Sequence, residues 1–447
     1  MIKVEDYGKS FKIIYKIFPD LVRWVTKVVP DKRKGKCFFK KEAVFISGIY
    51  MFLFRSKSLR AYVNEFRNNK EAMSNFNKYF TTNDIPSDDE FRYILSSIPT
   101  SAINKILQKI HQVLERKKII QKFYFMKKYS LLALDGSGQI SSYKIKCPKC
   151  LTRKSDKKET LYMHSQLVGS MVDTKNNISL TMGYEPIEND GKTTEYRKND
   201  CELNSCKRFL NKMKLLYPKR SFCILADNLM AIKSIVEQIK SKSWHYIITA
   251  KPERNKELFS WYDYLKEKKS FLVDMDKEGI CREYAWSNKL PLRQELNPEN
   301  YCYVNLLEYS ETKEELINGV KKNKVLYYNT WITDFKINES NVKELAEGGR
   351  SRFAIENKTF NEQKTRGYQT EHNFGHFGNL PSVFFGLAQI AHIFSQIFSL
   401  TKIGKNLTKE IGSSQRFWER YSVLFSSFYL PEDPNPILYL KLEINST

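Results

Sequence analysis

Two short apolar runs, Ser130-Leu-Leu-Ala-Leu134 and Phe222-Cys-Ile-Leu-Ala226, each stop at an aspartate, Asp135 and Asp227. Runs of this kind are too brief for a helix and too apolar for a half-solvated strand, so both are expected to be strands covered on two faces. That calls for helices packed over a sheet, an α/β layered architecture. It also sets a carboxylate at the carboxyl end of each strand, where sheet enzymes keep reactive groups. An ionised aspartate there binds hard cations, although helix capping accounts for most such residues taken singly. Asp135-Gly136 is expected to open a turn.

Around these runs the pattern predicts further elements. Strands are expected at about 164–172 and 178–184, joined as a hairpin by Asp173-Thr-Lys-Asn-Asn177. Residues 200–216 have helical spacing and stop at Tyr217-Pro218, and a second helix over 230–239 precedes a strand over 244–249. The order is βββαβαβ, a mixed-sheet core whose first part spans 121–250. Apolar spacing before it makes 1–120 a helical region, broken at Pro30 to Lys36 and at Thr81 to Ser87. The basic segment Asp31-Lys-Arg-Lys-Gly-Lys36 suits DNA phosphates or, equally, a solvated loop. Runs at 271–273, 301–307 and 325–328 make 251–340 a β-rich insertion, and 341–400 returns to helix and completes the core. Residues 401–447 are expected to be a helical C-terminal region.

The chain has 447 residues, with 74 Lys+Arg against 50 Asp+Glu, a net charge of +24 spread along its length. That surplus points to a polyanionic partner, with nucleic acid ahead of an anionic membrane surface. The opening Met-Ile-Lys-Val-Glu-Asp has no apolar segment of the secretory kind, so a cytoplasmic protein is expected. Pro381 to Leu400 is long enough to span a bilayer, but Gln389, His392, Ser395 and Gln396 interrupt it and make a buried helix the expectation, with no membrane. Eight cysteines in a reducing compartment are read first as metal ligands.

The third acidic group lies in Gly348-Gly-Arg-Ser-Arg-Phe-Ala-Ile-Glu-Asn-Lys-Thr-Phe-Asn-Glu-Gln-Lys364, where Arg352 and Glu356 stand four apart on one helix face. A simple ion pair explains that spacing. Together with Asp135 and Asp227, however, Glu356 makes three carboxylates, enough to hold two Mg²⁺ or Mn²⁺ ions for phosphodiester transfer.

On these residues the chain resembles the DDE transposases of bacterial insertion sequences, in the class whose ribonuclease H-like core carries a β-strand insertion. The resemblance spans roughly 86–400. In that family the first Asp follows strand one, the second follows strand four and the Glu sits on a helix after the insertion, as Asp135, Asp227 and Glu356 do. The family signature, Tyr-x2-Arg-x3-Glu-x6-Lys, is met at Arg352 and Glu356. It departs at Gly349, in the tyrosine position, and at Gln363, in the lysine position, with Lys364 next to it. Ala354-Ile-Glu-Asn357, Phe360-Asn361 and Gly367-Tyr368 to Glu371-His-Asn-Phe-Gly-His376 carry the likeness further.

The resemblance implies catalytic Asp135, Asp227 and Glu356 with two Mg²⁺ or Mn²⁺ ions, and Arg352 and Lys364 on DNA phosphates. It implies cleavage at transposon ends and joining of the freed 3′-hydroxyl to target DNA, by a homodimer on double-stranded DNA in the bacterial cytoplasm, associated with the nucleoid. A non-catalytic DNA-binding derivative and a nuclease on the same core are the rival readings.

Cys147-Pro-Lys-Cys150 has the spacing of two zinc ligands, and His164 with Cys201 would complete a tetrahedral structural set, Cys206 competing for the last place. Free thiols are the alternative. His372 and His376 are expected to serve packing and local hydrogen bonds, outside the active site. Trp331, Tyr301, Tyr303, Tyr327 and Tyr328 are expected in the core of the insertion, with stacking on an unpaired base as the other role.

Overall fold

Burial on both faces is what makes the two apolar runs strands. In the computed structural model, which describes residues 17–80, 84–154, 159–189, 199–265, 270–317 and 320–429, Leu132, Ala133, Phe222, Cys223, Ile224 and Leu225 are all sealed from solvent. Residues 1–16 and 430–447, and part of the break expected at Thr81 to Ser87, lie outside the described residues.

The chain opens with helices α1 (Leu21–Val28), α2 (Lys41–Leu53), α3 (Leu59–Phe66), α4 (Lys70–Phe80), α5 (Asp88–Ser96) and α6 (Thr100–Arg116). Their ends follow capping chemistry: the Ser58 and Ser87 side chains accept from the amides of Ala61 and Glu90, and Asp88, Asp89 and Glu90 fill the first turn of α5.

Strands β1 (Ser130–Ser142), β2 (Leu151–Lys154), β3 (Thr160–Asp173) and β4 (Ile178–Ile187) come next. Then follow α7 (Glu202–Leu216), β5 (Phe222–Ala226), α8 (Lys233–Lys240), β6 (His245–Thr249) and α9 (Lys256–Tyr264). β3 pairs antiparallel with β1 along one edge and with β2 and β4 along the other, while β5 runs parallel to both β1 and β6. The hairpin expected at 173–177 is present, with Asp173 accepting from Lys175 N and Asn176 Nδ2.

Strands β7 (Ser270–Met275), β8 (Ile280–Pro291), β9 (Tyr303–Ile317) and β10 (Val320–Thr333) form the region expected as an insertion. They continue the same sheet, because β10 hydrogen-bonds to β6 through Trp331↔Thr249. The result is a mixed, mostly antiparallel sheet of ten strands among the described residues.

The C-terminal part comprises α10 (Val342–Arg350), a π-helical stretch Ile355–Asn361 running into α11 (Glu362–Thr365), and then α12 (Leu380–Leu400), α13 (Lys402–Ile411) and α14 (Ser414–Ser427). α12 is long and apolar enough to cross a membrane, yet 89% of its apolar window is buried inside the protein. Its polar side chains fasten it to the sheet. Thr181 Oγ1 donates to Gln389 Oε1 at 2.8 Å, and Gln396 both accepts from Ser179 N and donates to Ser179 O. Those bonds satisfy amides that would be costly in a bilayer or left unpaired in a core.

One expectation is corrected here. Asp135-Gly136 does not open a turn, since β1 runs on to Ser142. The strand persists because β3 stays paired with it from Leu132↔Met171 to Ser142↔Tyr162, well past the point where its parallel neighbour β5 ends.

Candidate active site and a thiol–imidazole cluster

The parallel ladder between β1 and β5 ends at Ala133↔Leu225. Two residues further along each chain stand Asp135, still within β1, and Asp227, just past the end of β5, whose charge reaches the Asp135 carboxyl. Asp135 therefore reaches the carboxyl edge of the parallel pair although it lies inside its own strand. Asp227 also caps the short 3₁₀ turn after β5, its Oδ1 accepting from Leu229 N at 3.0 Å.

Glu356 enters from the π-helical stretch. Arg352, largely buried, joins it to the sheet: Arg352 Nη2 donates to Glu356 Oε1 at 2.7 Å and Nη1 to Asp135 Oδ2 at 3.4 Å. The i,i+4 spacing is realised across the junction between α10 and the π-helix, a distortion of the kind that accumulates at functional sites. The three carboxylates expected from the sequence thus belong to one neighbourhood.

The electrostatics agree. Burial pushes the Asp135 carboxyl up to about 7, with the charges of Glu356 and Asp227 adding to the rise and Arg352 opposing it. Like charges gathered in a partly desolvated place favour a proton or a cation. The residues present fit divalent ions on that ground.

A fourth carboxylate, unforeseen, borders the group. Glu202, in the first turn of α7, lies over the Gly136 backbone so closely that a Cβ at 136 would collide with its carboxylate. Burial and the charge of Asp227 both raise its pKa. An acidic residue in a first helical turn reads simply as a partner of the helix dipole, so no sequence signal singled it out.

The flanking positions differ from expectation. Gln363 is buried and makes a reciprocal amide pair with Gln389, both bonds at 2.9 Å. Lys364, more exposed, is ion-paired with Glu371 at 2.8 Å. Gly349 lies flat against Trp331, where a Cβ would come within 2.5 Å of the indole, so a tyrosine has no room there. Trp331 itself is a core residue stacked on Tyr309, while Tyr303 and Tyr328 are exposed.

Of the four expected zinc ligands, Cys147, Cys150 and His164 come together and Cys201 does not. Asn199 is clamped to Thr152 and Asp200 to Arg208, and the chain then turns into α7 with Cys201 as its exposed N-cap. Cys206 is buried in α7. His376, assigned to packing from the sequence, stands with the other three instead. His372 does pack, edge-on against Phe374.

The sequence matches no protein-family model and no curated protein.

The raised Asp135 pKa has a pH consequence. A folded value of about 7, above the ordinary carboxylate value of about 3.9, favours the protonated fold. That contribution is full below the ordinary value and is lost as pH rises through 7. A divalent ion held by this carboxyl would compete with the same proton, and its affinity would then fall by up to about tenfold per unit as pH drops below that value. Titration calorimetry on both sides of neutrality checks this, and a flat affinity contradicts it.

Proposed function

We propose that the protein is a DNA transposase of the DDE type on a ribonuclease H-like core. The observation that supports this reading is that Asp135 and Asp227 stand where the parallel pairing of β1 with β5 runs out, with Glu356 tied to Asp135 through Arg352. The order of strands supports it: the first, third and fourth are antiparallel neighbours, and β5 and β6 run parallel to the first.

Asp135, Asp227 and Glu356 would hold two Mg²⁺ or Mn²⁺ ions. When bound, such ions neutralise the attacking and leaving oxygens of an in-line displacement at phosphorus. Glu202 borders the same space. Arg352 has the planar fork that suits a phosphate; as DNA enters, its guanidinium exchanges a carboxylate for a phosphate oxygen. Lys364 would have to leave Glu371 to do the same.

The +24 charge supports a double-stranded DNA partner, both transposon ends and target. In the 31–36 loop Arg33 is held by Asp31, whereas Lys32, Lys34 and Lys36 are exposed and available to phosphates. A homodimer on DNA follows from the need to cut two ends together, and the cytoplasm near the nucleoid is where such DNA lies.

The test is incubation of the protein with labelled DNA carrying the sequences that flank its own coding region, Mg²⁺ and a target plasmid. End cleavage followed by joining is expected. Cleavage alone means a nuclease, and binding alone means a non-catalytic derivative.

A further inference from the structure

The cluster outside the carboxylate site has the dimensions of a metal centre. Zinc held by two thiolates at about 2.3 Å and two imidazoles at about 2.0–2.1 Å in a tetrahedron sets its ligand atoms about 3.8 Å apart for S···S, about 3.6 Å for S···N and about 3.3 Å for N···N. Here Cys147 Sγ and Cys150 Sγ lie 3.7 Å apart. His164 Nε2 is 3.3 Å from Cys147 Sγ and 3.5 Å from Cys150 Sγ, and His376 Nε2 is 3.2 Å from Cys150 Sγ. All four ligand atoms fall within 4.8 Å of one another. The two sulfurs are far beyond the bond length of a disulfide, about 2.05 Å.

The local chain is shaped for this. Cys150 N donates to Cys147 O at 3.1 Å, closing the Cys-Pro-Lys-Cys turn, and Cys147 N points at Cys150 Sγ at 3.3 Å. A backbone N–H aimed at sulfur is the outer support that holds a thiolate ligand in place. His164 is fixed by strand pairing opposite Ile140 of β1. The His376 segment is fixed by Asn379, whose amide donates to Ser96 O at 2.9 Å and whose Oδ1 accepts from Lys149 Nζ at 3.2 Å.

We propose that Cys147, Cys150, His164 and His376 bind one structural Zn²⁺ in a closed Cys2His2 site. With every position taken by protein, the ion has no open place for substrate and its work is mechanical. It links the loop leaving β1, the strand of Asp135, to the stretch between α11 and α12, which directly follows the helix of Glu356. That stretch, 366–379, has no regular secondary structure to hold it, so the ion supplies a cross-link where backbone hydrogen bonds are few. This assignment stands apart from the transposase reading and does not depend on it.

Full-length protein, purified under reducing conditions and reconstituted with Zn²⁺, is expected to hold one zinc per chain by elemental analysis. Cys147→Ser, Cys150→Ser and His376→Ala are expected to lose it, while Cys201→Ser keeps it. Co²⁺ in place of Zn²⁺ is expected to show the visible bands of a tetrahedral two-thiolate site. Should His376→Ala fail to fold, His376→Cys is expected to retain the metal with stronger thiolate-to-cobalt charge transfer. Equal zinc in wild type and His376→Ala, zinc loss in Cys201→Ser, an unchanged cobalt spectrum in His376→Cys, or a wild type without zinc would each overturn the proposal.

Discussion

Asp135→Asn and Glu356→Gln are each expected to lower Mg²⁺-dependent strand cleavage by about 10²–10³-fold, the scale of loss seen when one preorganised electrostatic group is removed from an active site. DNA affinity is expected to stay within a few-fold, because phosphate contacts by a strongly basic surface supply most of it. The two variants should differ in stability. Above neutral pH Asp135 ionises against burial and repulsion from Glu356 and Asp227, only partly offset by Arg352, so Asn at 135 is expected to leave the melting temperature of the metal-free protein unchanged or raised there. Glu356→Gln weakens the 2.7 Å pair with Arg352 and is expected to gain nothing. Active-site groups held against their own stability are a common trade. Gel-based cleavage assays beside thermal melts check both halves, and retained cleavage in either variant removes the catalytic role.

Gly349→Ala is expected to destabilise the protein by about 1–3 kcal/mol, the usual cost of forcing an extra carbon into a filled core. The new Cβ would sit 2.5 Å from the Trp331 ring. Trp331 cannot retreat, being paired with Thr249 on one side and Leu307 on the other and stacked on Tyr309. The helix must give instead, and α10 leads directly to Arg352 and Glu356. A lower melting temperature together with a weaker cleavage rate is therefore expected. Thermal unfolding with and without Mg²⁺ measures the first; an unchanged melting temperature contradicts the packing described here.

Much of the sheet was readable because its strands are apolar where two layers cover them, as at Leu131 to Leu134 and Phe222 to Ala226. β8 was not, since Ile280-Cys-Arg-Glu alternates weakly and its buried half, Tyr284 to Ser287, owes its burial to neighbouring strands rather than to its own pattern. The continuation of β1 through Gly136 and Gly138 was hidden for a related reason: two glycines look like a turn unless a long partner strand is known to lie alongside. Asp135 and Asp227 were marked by the apolar strands they follow, and Glu356 by the likeness of its surroundings to the transposase signature, since its i,i+4 spacing from Arg352 alone reads as a simple ion pair.

The neighbours of the trio were less legible. Glu202 carries no mark beyond a common helix-start preference. Cys150 and His376 meet across a separation of 226 residues, a proximity set by how the stretch after α11 returns to the sheet. Cys201 is nearer in sequence and falls on an exposed helix start, so closeness along the chain was a poor guide. Gln363 and Gly349, where the chain departs from the transposase signature it resembles, both have a packing reason: one pairs with Gln389 and the other makes room for Trp331.

The transposase reading depends on Asp135, Asp227 and Glu356 forming one divalent-ion site. Crystals of the protein with cleaved end DNA, soaked in Mn²⁺ and measured at the manganese absorption edge, test it most directly. Two anomalous peaks roughly 4 Å apart, coordinated by these three carboxylates, are expected. Manganese bound elsewhere, with the three side chains making no contact to it, would contradict the account.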